Sequence, residues 1–275
     1  MGAQIETEGG VLSCRCPDGL RGEKITLSFP SVGATENILI AAASADGETV
    51  ILNAAREPEI ADLADFLCSC GAHISGADSG EITVCGMKKL HSAEHTVIPD
   101  RIIASTYMAA AAVTGGDVRI LDTRAEHITP VIPVFEQAGC KVDCGENSVH
   151  ISAPVRLRSV QTVRTMPYPG FPTDSQAAVM AMLSVAHGTS VMIENIFENR
   201  YRHVRELCRL GADIMTEGKV AVIKGVETLT GACVCAADLR AGTALAVAGL
   251  AAQGSTTIEN VCLIDRGWQL SLIHI

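Results

Sequence analysis

Apolar and polar positions along the chain form a pattern that returns four times. An Ala-rich apolar segment runs into a glycine, and a short run with alternating apolar positions follows. The four runs are Gly47-Glu48-Thr49-Val50-Ile51-Leu52-Asn53, Gly116-Asp117-Val118-Arg119-Ile120-Leu121-Asp122, Gly188-Thr189-Ser190-Val191-Met192-Ile193-Glu194-Asn195 and Gly254-Ser255-Thr256-Thr257-Ile258-Glu259-Asn260. Their glycines are 69, 72 and 66 residues apart. In the first three copies a second, amphipathic segment ends at Gly71-Ala72, Gly139-Cys140 and Gly211-Ala212, which are 24, 23 and 23 residues after the first glycine. Alternation predicts half-buried strands and a 3.6-residue period predicts helices, so each copy reads helix, strand, helix, strand, strand. The glycines are expected to stop the helices in the left-handed conformation, which glycine enters without steric cost.

The two kinds of helix differ. The segment 59–67 puts Ile60, Leu63, Ala64 and Leu67 on one face, as a surface helix does. The segments 38–45, 107–113, 177–186 and 244–252 are apolar nearly all round, which predicts burial on every side. Aromatic residues make up only 3% of the chain, and small side chains let such helices approach one another where rings would not fit. Units this long exceed the roughly 20 to 50 residues of solenoid repeats. The predicted fold class is therefore α/β, with βαβαββ units whose first helices share a core and whose sheets and amphipathic helices lie outside it.

Composition narrows the function. Of the 275 residues 48% are hydrophobic and 19% charged, a globular balance rather than a disordered one. The net charge is −10 without a basic run, so nucleic acid is not an expected partner, and any anion must be met by a few local arginines and helix N-termini. The start Met1-Gly2-Ala3-Gln4-Ile5-Glu6 has neither the basic nor the apolar region of a secretory leader. The 11 cysteines are expected to be reduced, in the cytoplasm, and to act as small apolar core filler. Their pairs Cys14/Cys16, Cys68/Cys70 and Cys233/Cys235 lack zinc-knuckle spacing, and the eight histidines are scattered. Neither a metal nor a cofactor is expected, and the apolar stretches are too short to span a membrane.

Candidate chemistry sits at the helix starts, one in each copy: Phe29-Pro30-Ser31-Val32-Gly33-Ala34-Thr35, Pro99-Asp100-Arg101, Phe171-Pro172-Thr173-Asp174 and Ala237-Asp238-Leu239-Arg240. Ser and Asp there are ordinary N-caps, while converging helix N-termini also make an anion site. Ser31-Val32-Gly33 offers a hydroxyl and successive N–H groups without a Cβ at Gly33. Arg56, Arg200 and Arg266 each follow a strand, at the same place in three copies. A solvated ion pair is the plain explanation of any one, and three suggest a rim that receives phosphate or carboxylate. The segment 166–174 carries three prolines and delivers Asp174. With no histidine partner it does not fit a Ser–His–Asp triad; held near cationic groups, it can take a proton from a substrate hydroxyl.

At these residues the sequence resembles the UDP-N-acetylglucosamine 1-carboxyvinyltransferases, the enolpyruvyl transferases of peptidoglycan synthesis. The matching motifs, in order, are Ser31-Val32-Gly33-Ala34-Thr35, Asn53-Ala54-Ala55-Arg56-Glu57-Pro58-Glu59-Ile60, Pro99-Asp100-Arg101-Ile102, Phe171-Pro172-Thr173-Asp174, Phe197-Glu198-Asn199-Arg200, Asp238-Leu239-Arg240-Ala241 and Asp265-Arg266-Gly267. The resemblance covers residues 1–268 and implies an inside-out α/β barrel fold of two domains with three βαβαββ units each. It implies transfer of the enolpyruvyl group of phosphoenolpyruvate to the 3′-hydroxyl of UDP-N-acetylglucosamine, with release of phosphate and no cofactor. By position, Asp174 takes the hydroxyl proton and binds the sugar nucleotide, Ser31, Val32 and Gly33 hold its diphosphate, and Ile196 adds a backbone contact. Arg200, Arg240 and Arg266 surround phosphoenolpyruvate, with Asp238 supporting them.

The sequence also departs from that family. Phe29 stands where a lysine is common. Six units are expected and four are present, so residues 1–98 read as an incomplete first domain and 99–268 as a nearly complete second one. The segment 269–275 reads as a tail foreign to the family. The part carrying the family's Lys-Asn pair and reactive loop has no counterpart, which makes this chain, by itself, an expected inactive fragment. A related 5-enolpyruvylshikimate-3-phosphate synthase is a competing expectation, against which the 53–59 and 197–200 motifs speak. A non-catalytic sugar-nucleotide-binding paralogue is another.

Overall fold

The computed structural model describes residues 1–87 and 89–265. They fall into two compact units that divide between Ile98 and Pro99.

The first unit opens with a hairpin of β1 (Gln4–Glu8) and β2 (Val11–Arg15). Its turn residues Gly9 and Gly10 have φ of 57° and 81°, the pair of positive values that a type I′ turn demands. Next come β3 (Lys24–Thr26), α1 (Val32–Ala42), β4 (Glu48–Leu52), α2 (Pro58–Ser69), β5 (His73–Ser75) and β6 (Glu81–Cys85). The sheet order is β3-β4-β6-β5, with β3 parallel to β4 and the other pairs antiparallel. This is the expected βαβαββ unit. Ile51 of β4, Ile82 and Val84 of β6, Ile60 and Leu67 of α2 and Leu39 of α1 form its core.

The second unit holds the remaining copies. Helix α3 (Arg101–Val113) leads to β7 (Asp117–Leu121), α4 (Ala125–Ile128), α5 (Ile132–Gln137), β8 (Lys141–Cys144) and β9 (Ser148–Ser152), with sheet order β7-β9-β8. Strand β10 (Thr162–Arg164), a 3-10 turn (Thr173–Ser175), α6 (Gln176–Leu183), β11 (Thr189–Ile193), α7 (Val204–Arg209), β12 (Asp213–Glu217) and β13 (Val220–Lys224) follow, with sheet order β10-β11-β13-β12, the same pattern as β3-β4-β6-β5 in the first unit. Then come β14 (Leu229–Thr230), β15 (Cys233–Cys235), α8 (Leu239–Ala251), β16 (Ala252–Gln253) and β17 (Thr257–Glu259), paired in parallel as β14-β16 and β15-β17.

Helices α3, α6 and α8 supply the shared core, and every residue of α6 is buried. Helices α1 and α8 depart from the expectation of all-round burial. Helix α8 leaves Leu250 61% exposed. Helix α1 buries Thr35, Leu39 and Ala42, while Ile40 is 55% exposed, and among the described residues its unit contains no second Ala-rich helix to cover the other face.

The amphipathic helices stop as expected. After α2, Gly71 has φ 101°, its N–H reaches the Cys68 carbonyl at 2.9 Å, and the Ala72 N–H reaches Leu67 at 3.0 Å. Gly139 and Gly211 repeat this closure, whose nested bonds satisfy the last carbonyls of the helix. After α3 the left-handed residue is Gly115, at φ 63°, rather than Gly116. Gly116 takes the next position and donates to the Ala111 carbonyl. Two further glycines are set by packing: a Cβ on Gly86 would lie 1.8 Å from the Ala45 carbonyl oxygen, and one on Gly225 1.5 Å from that of Ala186. Among the described residues no helix is long and apolar enough to cross a membrane.

Candidate functional site

Three of the four helix starts are capped by the predicted side chain. Ser31 Oγ accepts from the Ala34 N–H at 3.3 Å, Asp100 from Ile102 and Ile103 at 2.7 and 3.0 Å, and Asp238 from Ala241 at 2.8 Å. Each satisfies N–H groups that have no partner within the helix. Asp174 breaks the series. The 3-10 turn Thr173–Ser175 has no side-chain cap, and the Asp174 carboxylate turns to two cations instead. The Arg200 guanidinium donates to its Oδ1, and Arg240 Nε lies 3.2 Å from the same oxygen. Two guanidiniums against one carboxylate leave one net positive charge in this trio.

Local structure delivers each member. The loop before Asp174 closes on itself: the Met166 N–H donates to the Phe171 carbonyl at 3.0 Å and Gly170 to Pro167 at 2.8 Å, with Phe171 buried. Arg240 occupies the first turn of α8. Arg200 follows β11, and its guanidinium lies 4.9 Å from the centre of the Phe197 ring, a stacking that suits a planar cation. The imidazole of His203 lies within reach of its charge. The His203 ring is 2% exposed, with Nε2 3.2 Å from Met180 Sδ. Burial pushes its pKa down to about 4, the nearby Asp238 opposing and the Arg200 charge assisting.

Sequence reasoning missed Glu194. It is 1% exposed, and its carboxylate accepts from Thr165 Oγ1 at 2.8 Å, Thr173 Oγ1 at 2.9 Å, the Ile196 N–H at 2.9 Å and the Phe197 N–H at 3.1 Å. One indication was available. Ser190, Met192 and Glu194 fall on the buried side of the β11 alternation, where an acid needs partners.

The other candidates are placed as follows. Ser31, Val32 and Gly33 start α1 in the first unit, and a Cβ on Gly33 would meet nothing within 4 Å. The N–H of Ile196 is engaged by Glu194. Asp238 serves as the cap of α8, two residues before Arg240. Arg56 Nε donates to the Asp78 carbonyl at 3.3 Å within the first unit. Phe29 is 43% exposed. Arg266 and the segment 269–275 lie outside the described residues. The core-filler expectation for cysteine holds for Cys70 and Cys140 alone; Cys14, Cys68, Cys85, Cys144, Cys208, Cys233 and Cys262 are exposed, on outward strand and helix positions.

Comparison with known proteins shows the family and the fold. The family model of EPSP synthase (3-phosphoshikimate 1-carboxyvinyltransferase) matches residues 1–271. The chain belongs to the EPSP synthase family. Relatives of this family chain include UDP-N-acetylglucosamine 1-carboxyvinyltransferases 2 and 1 of Caldanaerobacter subterraneus subsp. tengcongensis, 49% identical over 269 residues and 52% over 268. The UDP-N-acetylglucosamine 1-carboxyvinyltransferase of Finegoldia magna is 49% identical over 270 residues. Each alignment takes in 98% of the chain and 64% of the relative, so the chain spans a little under two thirds of these proteins' length. Among solved structures, the enolpyruvyl transferase NikO from Streptomyces tendae superposes with a TM-score of 0.88 at 25% identity, over 99% of this chain and 67% of that one. An EPSP synthase from Acinetobacter baumannii shares the fold at a TM-score of 0.73 and 24% identity, over 96% of this chain and 65% of that one. The family resemblance and the enolpyruvyl transferase-like α/β fold expected from the sequence are thereby established.

Proposed function

We propose that this chain carries the site of an enolpyruvyl transfer from phosphoenolpyruvate to the 3′-hydroxyl of UDP-N-acetylglucosamine. The observation that carries this reading is the convergence of Asp174, Arg200 and Arg240, three motif residues far apart in sequence, in a chain about half identical to relatives named for that reaction. The carboxylate of Asp174 takes the proton of the sugar hydroxyl, whose oxygen adds to C2 of phosphoenolpyruvate while the electrons of the C2–C3 double bond take up a proton at C3. Loss of a C3 proton with expulsion of phosphate from C2 then restores the double bond and leaves the enolpyruvyl ether. Arg200, Arg240 and Arg266 offset the charge of phosphoenolpyruvate and of the tetrahedral intermediate, and fixed cations of this kind are usually the largest catalytic term. Asp238 supports the group by capping the helix that presents Arg240.

The diphosphate falls to Ser31, Val32 and Gly33, where a helix N-terminus and the open space at Gly33 favour an anion. Ile196 contributes its backbone carbonyl to the sugar nucleotide, since its N–H is spent on Glu194. We assign the reaction to the cytoplasm, without a cofactor.

Calorimetric titration tests the reading. Saturable binding of UDP-N-acetylglucosamine, weakened tenfold or more by Asp174→Ala, is expected, as is no binding of shikimate 3-phosphate. Preference for shikimate 3-phosphate would overturn the assignment in favour of 5-enolpyruvylshikimate-3-phosphate synthase chemistry.

A further inference from the structure

We infer that Glu194 is a positioning residue, whose one buried carboxylate joins the loop bearing Asp174 to the loop bearing Arg200 and so sets the geometry of that ion pair. The inference rests on the reading of Asp174 and Arg200 given above.

A carboxylate removed from water must have its lone pairs filled by donors, and Glu194 draws its four donors from both loops. Thr173, next to Asp174 in the chain, gives its hydroxyl to Oε2. Ile196 and Phe197, on the way to Arg200, give their N–H groups to Oε1. Thr165 Oγ1 donates to Oε1 and accepts the Asn195 N–H at 2.8 Å, which ties the end of β10 to the same loop. The Phe197 ring, whose backbone Glu194 holds, is the one that stacks on the Arg200 guanidinium. Movement of either loop would strip the buried carboxylate of a donor. Glu194 touches neither Asp174 nor Arg200 through any of these bonds and acts through the backbone and hydroxyl groups that carry them.

The test is a double-mutant cycle on the full 275-residue chain. Urea unfolding of wild type, Asp174→Asn, Arg200→Met and the double variant gives the coupling between residues 174 and 200. The cycle is then repeated in Glu194→Gln, Glu194→Ala and Thr173→Val backgrounds. A half-exposed ion pair should couple by about threefold in the unfolding equilibrium constant. Glu194→Gln should keep that value, because its amide oxygen still accepts at the Oε1 position and its NH2 can donate to Thr173. Glu194→Ala should bring the coupling to unity, and Thr173→Val should reduce it measurably. Amide exchange at Ile196 and Phe197 should quicken tenfold or more in Glu194→Ala and stay slow in Glu194→Gln. If the variants lose global stability while the coupling is unchanged, the role is merely structural and the inference is overturned. Should Glu194→Ala fail to fold, Thr173→Val decides by the same criterion. A wild-type chain that bound neither UDP-N-acetylglucosamine nor phosphoenolpyruvate would refute the functional reading, while the cycle would still judge Glu194.

Discussion

His203 gives the sharpest quantitative prediction. Its ring is buried against Met180, within reach of the Arg200 charge, with a pKa pushed from 6.5 to about 4. The folded protein therefore refuses a proton that the unfolded chain accepts. Stability rises with pH wherever the unfolded state binds more protons, so this contribution is fully present above about pH 6.5 and is lost as pH falls toward 4. One proton costs about 1.36 kcal/mol per pH unit. The loss attributable to His203 is thus about 2.5 kcal/mol by pH 4.5 and about 3 kcal/mol by pH 4. The perturbation is His203→Gln, which removes the titration while keeping a polar side chain of similar reach. Urea unfolding of both proteins between pH 7 and pH 4, followed by far-UV circular dichroism, isolates the term. Carboxylates and the other histidines titrate alike in both chains and cancel in the difference. The wild type should lose about 3 kcal/mol more than His203→Gln on going from pH 7 to pH 4. If the two stabilities fall in parallel, the histidine is charged or accessible in the folded state and the burial argument is wrong.

Three further outcomes are expected. Asp100→Ala removes the acceptor of two N–H groups at the start of α3 and should lower stability by about 1 kcal/mol in urea unfolding. Gly225→Ala forces a Cβ to within 1.5 Å of the Ala186 carbonyl oxygen, a backbone atom. It should cost about 3 kcal/mol or more, read as a drop in the urea midpoint, whereas Gly33→Ala, which meets nothing within 4 Å, should be tolerated. Burial raises the Cys140 thiol to about 11, so in a thiol titration at pH 8 Cys140 should react only on unfolding, after exposed thiols such as Cys14 and Cys85 have been consumed.

The sequence alone determined the repeat, because hydrophobic periodicity and glycine placement are local demands. A helix that ends in a left-handed residue needs Gly71, Gly139 or Gly211 whatever lies around it, and Ile60, Ala64 and Leu67 must share a face at their spacing. It also isolated Asp174 and Arg200 at element ends, along with Arg56 and Arg266, while Arg240 entered through the family resemblance. The shift from Gly116 to Gly115 shows the grain of such reasoning: a pair of glycines does not reveal which of the two takes the strained position.

Tertiary structure decided what local spacing leaves open. Ser31, Asp100, Asp174 and Asp238 begin helices in the same manner, yet three cap their own helix and Asp174 is drawn away by two guanidiniums delivered from distant segments. Whether α1 is buried all round depends on what packs against it, and the outward cysteines depend on which side of a strand or helix faces the core. Glu194 is the clearest case. Its role consists of four hydrogen bonds from groups brought together by folding, and the energetic need to satisfy a buried charge exists only once water has been excluded around it.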